Sequence, residues 1–119
     1  MTALSVLVVE DDAMIGMFLA EMLEDMGYTV CAVVATEDDA VADAARCKPG
    51  LMIVDEQLRE GSGVSAMERI LQTSRVPCVF ISGAPAQRGR PGANVLQKPF
   101  LVQDLIRAIR CVMGGPDTM

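Results

Sequence analysis

A chain of 119 residues, 51% of them apolar, is long enough for one domain with a real core. Sixteen Asp and Glu against ten Lys and Arg leave a net charge of −6, so the field around the chain repels phosphate backbones and anionic lipid, and direct contact with nucleic acid or membrane is not expected. The chain has no histidine and its four cysteines form no C-x-x-C pair, which together exclude serine–histidine and cysteine–histidine catalysis and the usual zinc-ligand spacings.

Leu4 to Val9 is an apolar run that reads as the first strand, and it ends in Glu10-Asp11-Asp12. Ile15, Phe18, Leu19, Met22, Leu23 and Met26 then recur at three- and four-residue intervals, the stripe of a helix with Asp12 as N-cap and Gly27 as its stop. Thr29 to Val34 is β-branched enough for a second strand. Thr36-Glu37-Asp38-Asp39 opens a second, Ala-rich helix with Thr36 as N-cap and acids where the helix dipole favours them, and Lys48-Pro49-Gly50 closes it.

Leu51 to Val54 is an unbroken apolar run that delivers a single carboxylate, Asp55. Such a run is expected to be a strand buried on both faces, with Asp55 either capping the next turn or marking a ligand site at the carboxyl end of the sheet. A glycine-containing loop, residues 56–63, leads to a third helix carrying Val64, Met67, Ile70 and Leu71. Pro77 to Ile81 is the fourth strand, ending at Ser82, and Asn94 to Gln97 is the fifth, ending at Lys98-Pro99. The last helix carries Leu105, Ile106, Ile109, Val112 and Met113 before Gly114-Gly115-Pro116.

Between Ser82 and Asn94, glycines and prolines at 83, 85, 89, 91 and 92 leave room for a turn of helix at most, because Gly and Pro cost about 1 and 3 kcal/mol in a helix interior. Arg88 and Arg90 in this stretch read as a solvated pair. Cys31, Cys47, Cys78 and Cys111 are scattered and read as buried or half-buried small hydrophobes, reduced in a cytosolic setting, since neither a secretory signal nor a membrane span is visible.

Strands alternating with helices predict a parallel sheet covered on both faces. In such a sheet the ends of the strands share one edge, so Glu10, Asp11, Asp55, Ser82 and Lys98 converge there. Three close carboxylates resist ionising unless a cation shares the site, and a hard divalent ion with oxygen ligands, Mg²⁺, is the natural candidate. Metal, lysine and hydroxyl together suit a phosphoryl group, with Asp55 as nucleophile and Lys98 and Ser82 contacting phosphoryl oxygens.

Val8-Val9-Glu10-Asp11, Val54-Asp55, Gly63, Ser82 and Lys98-Pro99-Phe100, in this order and at these strand ends, resemble a response-regulator receiver domain over essentially the whole chain. The resemblance implies a flavodoxin-like, doubly wound, five-stranded parallel sheet of order 2-1-3-4-5, the order that receivers share with flavodoxin. It also implies a phosphoryl group passing to Asp55 from a histidine kinase or histidine phosphotransfer protein. Mg²⁺ would be held by the Glu10, Asp11 and Asp55 side chains and the Gln57 backbone carbonyl, with a cis Lys98–Pro99 peptide. The domain would promote its own phosphorylation and dephosphorylation without being a conventional enzyme.

Three features depart from the family pattern. Arg59 stands where Pro is usual, Val95 where an aromatic residue normally reports phosphorylation, and the fourth helix is expected to be short or absent. Phe80-Ile81-Ser82-Gly83 and the interrupted stretch resemble a subgroup of alphaproteobacterial single-domain receivers with a Phe-Ala-Thr-Gly-type motif, associated with kinases of the HWE and related classes. An order–disorder change in residues 82–94 would then carry the signal. Met14 and Met17, outside the main stripe of the first helix, are either adaptable filler or a docking surface for a kinase.

The chain reads as one receiver over residues 1–119 with no output domain, so output is expected to pass through an unknown downstream protein or to consist of draining phosphate from a kinase. Asp-nucleophile phosphatases need a second Asp two residues on, where this chain has Gln57, and a dinucleotide site needs a glycine fingerprint where it has Glu10-Asp11-Asp12. The remaining alternative is a receiver-shaped binding module that works without phosphorylation.

Overall fold

Five strands lie side by side in the order β2-β1-β3-β4-β5, with every neighbouring pair parallel. They are β1 (Ser5–Val9), β2 (Thr29–Val34), β3 (Leu51–Asp55), β4 (Cys78–Ser82) and β5 (Val95–Gln97), and the helices are α1 (Ala13–Asp25), α2 (Glu37–Cys47), α3 (Gly63–Ile70) and α4 (Val102–Val112). The structure is a computed structural model that describes residues 4–83 and 95–114. The expected short or missing fourth helix, the order–disorder switch and the Arg88–Arg90 pair fall on residues 84–94, outside the described residues.

Because side chains alternate along a strand, the sheet feeds two cores. Val6, Val8, Leu51, Ile53, Val79 and Ile81 meet Leu19 and Leu23 of α1 and Leu105 and Ile109 of α4 on one face. Leu7, Val9, Met52, Val54 and Cys78 meet Ala40 and Ala44 of α2 and Ala66, Met67 and Ile70 of α3 on the other. All five residues of β3 are buried, as its uninterrupted apolar run predicts for a central strand. Each fully buried Leu, Ile or Val side chain contributes roughly 1.5–3 kcal/mol of transfer free energy, so the central strands anchor the sheet edge that carries the acids.

The helix signals hold at their starts. Asp12 caps α1 by accepting from the Met14 and Ile15 amides at 3.0 and 3.2 Å, and Thr36 caps α2 by accepting from the Asp39 amide at 3.1 Å. Lys48 ends α2 in the left-handed conformation, φ 50°. The edge strand β2 carries one extra residue: Val6 pairs with Val30 and Leu7 with Ala32, leaving Cys31 in a bulge.

Four expectations of burial are corrected. Phe18 lies at the margin of the α1 stripe and is 62% exposed. Leu71 has left the helical face at the end of α3, and Met113 is past the last turn of α4; both are exposed. Cys111, three residues after the buried Ala108 and near the end of α4, is exposed, whereas Cys78 is buried in the core and Cys31 and Cys47 are half-buried. Among the described residues no helix is long and apolar enough to cross a membrane.

Candidate functional site

The carboxyl edge of the sheet gathers the acids that the strand ends foretold. Asp55, the last residue of β3, is 5% exposed, and Glu10, immediately after β1, is 2% exposed. With the half-buried Asp11 they form a cluster in which one carboxylate oxygen from each lies within 4.8 Å of the others. Lys98 enters from the end of β5, where its amide donates to the Ser82 carbonyl at 2.9 Å. Its Nζ donates to Asp55 Oδ2 at 2.9 Å and lies 3.3 Å from Glu10 Oε1. The Lys98–Pro99 peptide is cis.

Backbone geometry fixes these side chains. Asp55 Oδ1 accepts from the Gln57 amide at 3.1 Å, which sets the Gln57 peptide beside the carboxylate. Glu10 Oε2 accepts from the Asp12 amide at 3.1 Å, so the residue that caps α1 also orients Glu10. Two glycines allow the close approach. A Cβ at Gly63 would collide with the Asp55 carbonyl oxygen, and one at Gly16 would stand 2.8 Å from Val33 Cγ1 and 3.8 Å from Glu10 Cβ. Ser82 ends β4 next to β3, one residue beyond the Asp55–Ile81 pair, and is buried.

Burial, reinforced by the neighbouring Asp55, pushes the Glu10 carboxyl up to about 7, against the lowering hydrogen bond from Asp12 and the charge of Lys98. Burial alone would lower the Lys98 ammonium, but its hydrogen bond to Asp55 and the two carboxylate charges outweigh that and hold it above its usual value. One ammonium facing three carboxylates leaves the cluster short of positive charge. Glu10 Oε1 is buried and takes no hydrogen bond, the ammonium beside it notwithstanding. A buried carboxylate oxygen without a hydrogen bond, in a cluster of three carboxylates that one ammonium serves, fits a hard divalent cation, which favours such ligands.

Every residue named from the sequence therefore lies on this edge. Glu10, Asp11 and Asp55 are clustered, Lys98 bridges Glu10 and Asp55, Ser82 is on the adjoining strand end, and the Gln57 peptide is hydrogen-bonded to Asp55. Sequence reasoning missed Gly16 and Glu37. Glu37 accepts from the Ser62 amide at 3.0 Å and the Ser65 hydroxyl at 2.8 Å, behind the loop that follows Asp55. An acid in the first turn of α2 gave only a helix-dipole signal, and its partners lie 25 and 28 residues away.

Comparison with known proteins agrees with this geometry. The family model described as the response regulator receiver domain matches residues 6–110. The phyllosphere-induced regulator PhyR of Methylorubrum extorquens is 37% identical over 82% of this chain and 39% of its own length. The transcriptional regulatory protein PdtaR of Mycobacterium tuberculosis is 34% identical over 92% of this chain and 56% of its own. The chain thus spans about two-fifths to just over half of these curated relatives. The solution structure of the PhyR receiver domain of Erythrobacter litoralis superposes with a TM-score of 0.84 at 30% identity, covering 95% of this chain and 92% of that one. With the strand order, the acid cluster and the strand-end lysine in place, this chain belongs to the response regulator receiver domain family.

Proposed function

We propose that Asp55 accepts a phosphoryl group from a phosphohistidine of a histidine kinase or histidine phosphotransfer protein. The observation that carries this reading is the Asp55 carboxylate itself, buried at the end of the central strand, hydrogen-bonded to Lys98 and clustered with Glu10 and Asp11. Nothing about a structural turn cap requires three carboxylates to share one site.

In the transfer, an Asp55 oxygen attacks phosphorus in line, the phosphorus–nitrogen bond breaks, and its electron pair stays on the departing imidazole. Lys98 moves its ammonium from the carboxylate to a phosphoryl oxygen, and the Ser82 hydroxyl donates to another. Glu10, Asp11, Asp55 and the Gln57 carbonyl are the residues that would hold Mg²⁺, which when bound neutralises negative charge on the phosphoryl oxygens. Hydrolysis of the acyl phosphate at the same residues resets the domain.

The donor approaches over α1. Met14 is 75% and Met17 57% exposed on α1, the helix that follows Glu10 and Asp11, and at helical spacing with exposed Phe18 they make an apolar strip suited to a helix bearing the phosphohistidine. The signal then passes to another protein, or the domain drains phosphoryl groups from its kinase. The likeness to regulators such as PhyR and PdtaR supports a signalling role.

Incubation with a small phosphodonor and Mg²⁺ should label wild-type protein and leave Asp55→Asn unlabelled. No labelling of the wild type would favour a receiver-shaped module that binds without phosphorylation. Met14→Glu with Met17→Glu should slow transfer from a kinase by about tenfold or more, as for loss of an interface anchor of about 1–2 kcal/mol. Transfer from a small phosphodonor should not change; equal slowing from both donors would exclude docking at this strip.

A further inference from the structure

The loop that follows Asp55, residues 56–62, supplies the Gln57 peptide that is hydrogen-bonded to Asp55, yet it lies largely at the surface. Its near end is tied to the sheet: the Glu56 amide donates to the Ile81 carbonyl at 2.9 Å and the Gln57 amide to Asp55 Oδ1 at 3.1 Å. At its waist the chain folds on itself, with Gln57 opposed to Ser62 as an antiparallel bridge and the Gly63 amide donating to the Glu56 carbonyl at 2.9 Å. Its far end is held by one residue of another helix.

That residue is Glu37. Its amide, one of the N-terminal donors of α2 that has no partner within the helix, donates to the Glu60 carbonyl at 3.1 Å. Its Oε1 accepts from the Ser62 amide at 3.0 Å, and its Oε2 accepts from the Ser65 hydroxyl at 2.8 Å and Arg69 Nη1 at 3.0 Å. Thr36, the preceding residue, pairs with Glu60 as a parallel bridge. Gly61 takes φ +87°, and a Cβ there would run into the Glu37 side chain, so the loop is fitted closely around this carboxylate. Asp39, another acid of the same turn, is exposed, as is the Asp38 side chain.

We infer that Glu37 is a positioning residue for the acid cluster: by holding Ser62 it holds Gln57, the opposite member of the bridge, and so sets where the Gln57 peptide meets Asp55. A helix-dipole role would need only a charge in the first turn, which Asp38 and Asp39 already provide. The four hydrogen bonds of Glu37 are directed instead at residues 60, 62, 65 and 69. The inference rests on the proposed reading of the site, in which the Gln57 carbonyl is a ligand to a divalent cation.

The test is a Mg²⁺ titration of the full metal-free chain followed by backbone amide resonances, with amide exchange of residues 56–62 measured before metal is added. Glu37→Ala should raise the half-saturating Mg²⁺ concentration by about tenfold, the low end for a residue supporting a metal ligand, and speed exchange at Gln57 and Ser62. Labelling of Asp55 by a small phosphodonor should return to near wild type at saturating Mg²⁺. Glu37→Gln keeps an acceptor for the Ser62 amide and should restore the affinity to within about threefold, while Arg69→Met, which removes the contacts of Arg69 with Glu37 and Asp38 but leaves the Ser62 and Ser65 hydrogen bonds in place, should leave it unchanged.

An unchanged half-saturation in Glu37→Ala, whatever its melting temperature, would overturn the inference. Should Glu37→Ala fail to fold, Glu37→Asp, one methylene too short to reach both Ser62 and Ser65, decides the matter: a weaker Mg²⁺ affinity supports the inference and a wild-type one overturns it. A wild-type chain that binds no Mg²⁺ would instead overturn the reading of the site, and the inference with it.

Discussion

Glu-Asp-Asp occurs twice in the chain, at residues 10–12 between β1 and α1 and at residues 37–39 at the start of α2. In the first copy the glutamate precedes the N-cap, Asp12, and directly follows β1, a strand buried on both faces, and it is itself buried with Oε1 taking no hydrogen bond. In the second copy the glutamate follows the N-cap, Thr36, and lies on the first helical turn facing the start of α3, where both its oxygens are satisfied. Burial raises the first carboxyl; hydrogen bonds from Ser62, Ser65 and Arg69 lower the second. A shift in position relative to a helix cap puts one copy of the tripeptide into the acid cluster with Asp55 and the other into hydrogen bonds with the loop that follows Asp55.

The largest effect is expected at Asp55, which Glu10 joins in the acid cluster and whose following loop Glu37 holds. Asp55→Asn should abolish Mg²⁺-dependent labelling, whereas Glu10→Gln should still be labelled but need roughly 10–100-fold more Mg²⁺, as expected when one carboxylate ligand or its support is lost. If Glu10→Gln bound Mg²⁺ as tightly as wild type, the first copy would have no part in a cation site.

The opposite pKa shifts separate the two copies by pH. In the metal-free chain Glu10, raised from 4.5 to about 7, favours the fold below pH 4.5 and loses that contribution as pH rises through about 7. Glu37, lowered from 4.5 and facing Arg69, Ser62, Ser65 and the neighbouring Asp38, contributes fully above 4.5 and loses it as pH falls through its lower folded value. Thermal denaturation in chelator should show Glu10→Gln flattening the loss of stability toward neutral pH and Glu37→Gln flattening the acid loss. A swap of these two effects would contradict the assignment.

The smallest effect belongs to the caps that define the two registers. Asp12→Ala and Thr36→Ala should each cost about 0.5–2 kcal/mol in urea denaturation, since each removes a side-chain acceptor for backbone amides at a helix start. Asp12→Ala leaves the hydrogen bond from its own amide to Glu10 intact, so it should shift Mg²⁺ affinity little; a large shift would mean that the cap and the cluster are one unit.

Strand ends and caps could be read from the sequence because their signals are local. The apolar run of β3 names Asp55 by ending there, and strand alternation with helices puts Glu10, Asp11, Ser82 and Lys98 on the same edge whatever the details of packing. Glu37 could not be read in the same way, since what distinguishes it from Asp38 is hydrogen bonding to residues 25 and 28 positions away. Phe18 was misplaced for a geometric reason: periodicity locates the centre of a helical stripe better than its margin, and Phe18 is at the margin. Cys111 follows the buried Ala108 by three residues yet is exposed next to the end of α4, a loss of burial that small apolar character does not show.

Acceptance of phosphate by the buried carboxylate of Asp55 is tested most directly by the intact mass of the full chain after incubation with a small phosphodonor, once with Mg²⁺ and once with chelator. The expected result is one phosphoryl adduct that requires Mg²⁺, is labile as an acyl phosphate, and is absent from Asp55→Asn. An unmodified wild-type mass in Mg²⁺, or an adduct that persists in Asp55→Asn, would contradict it.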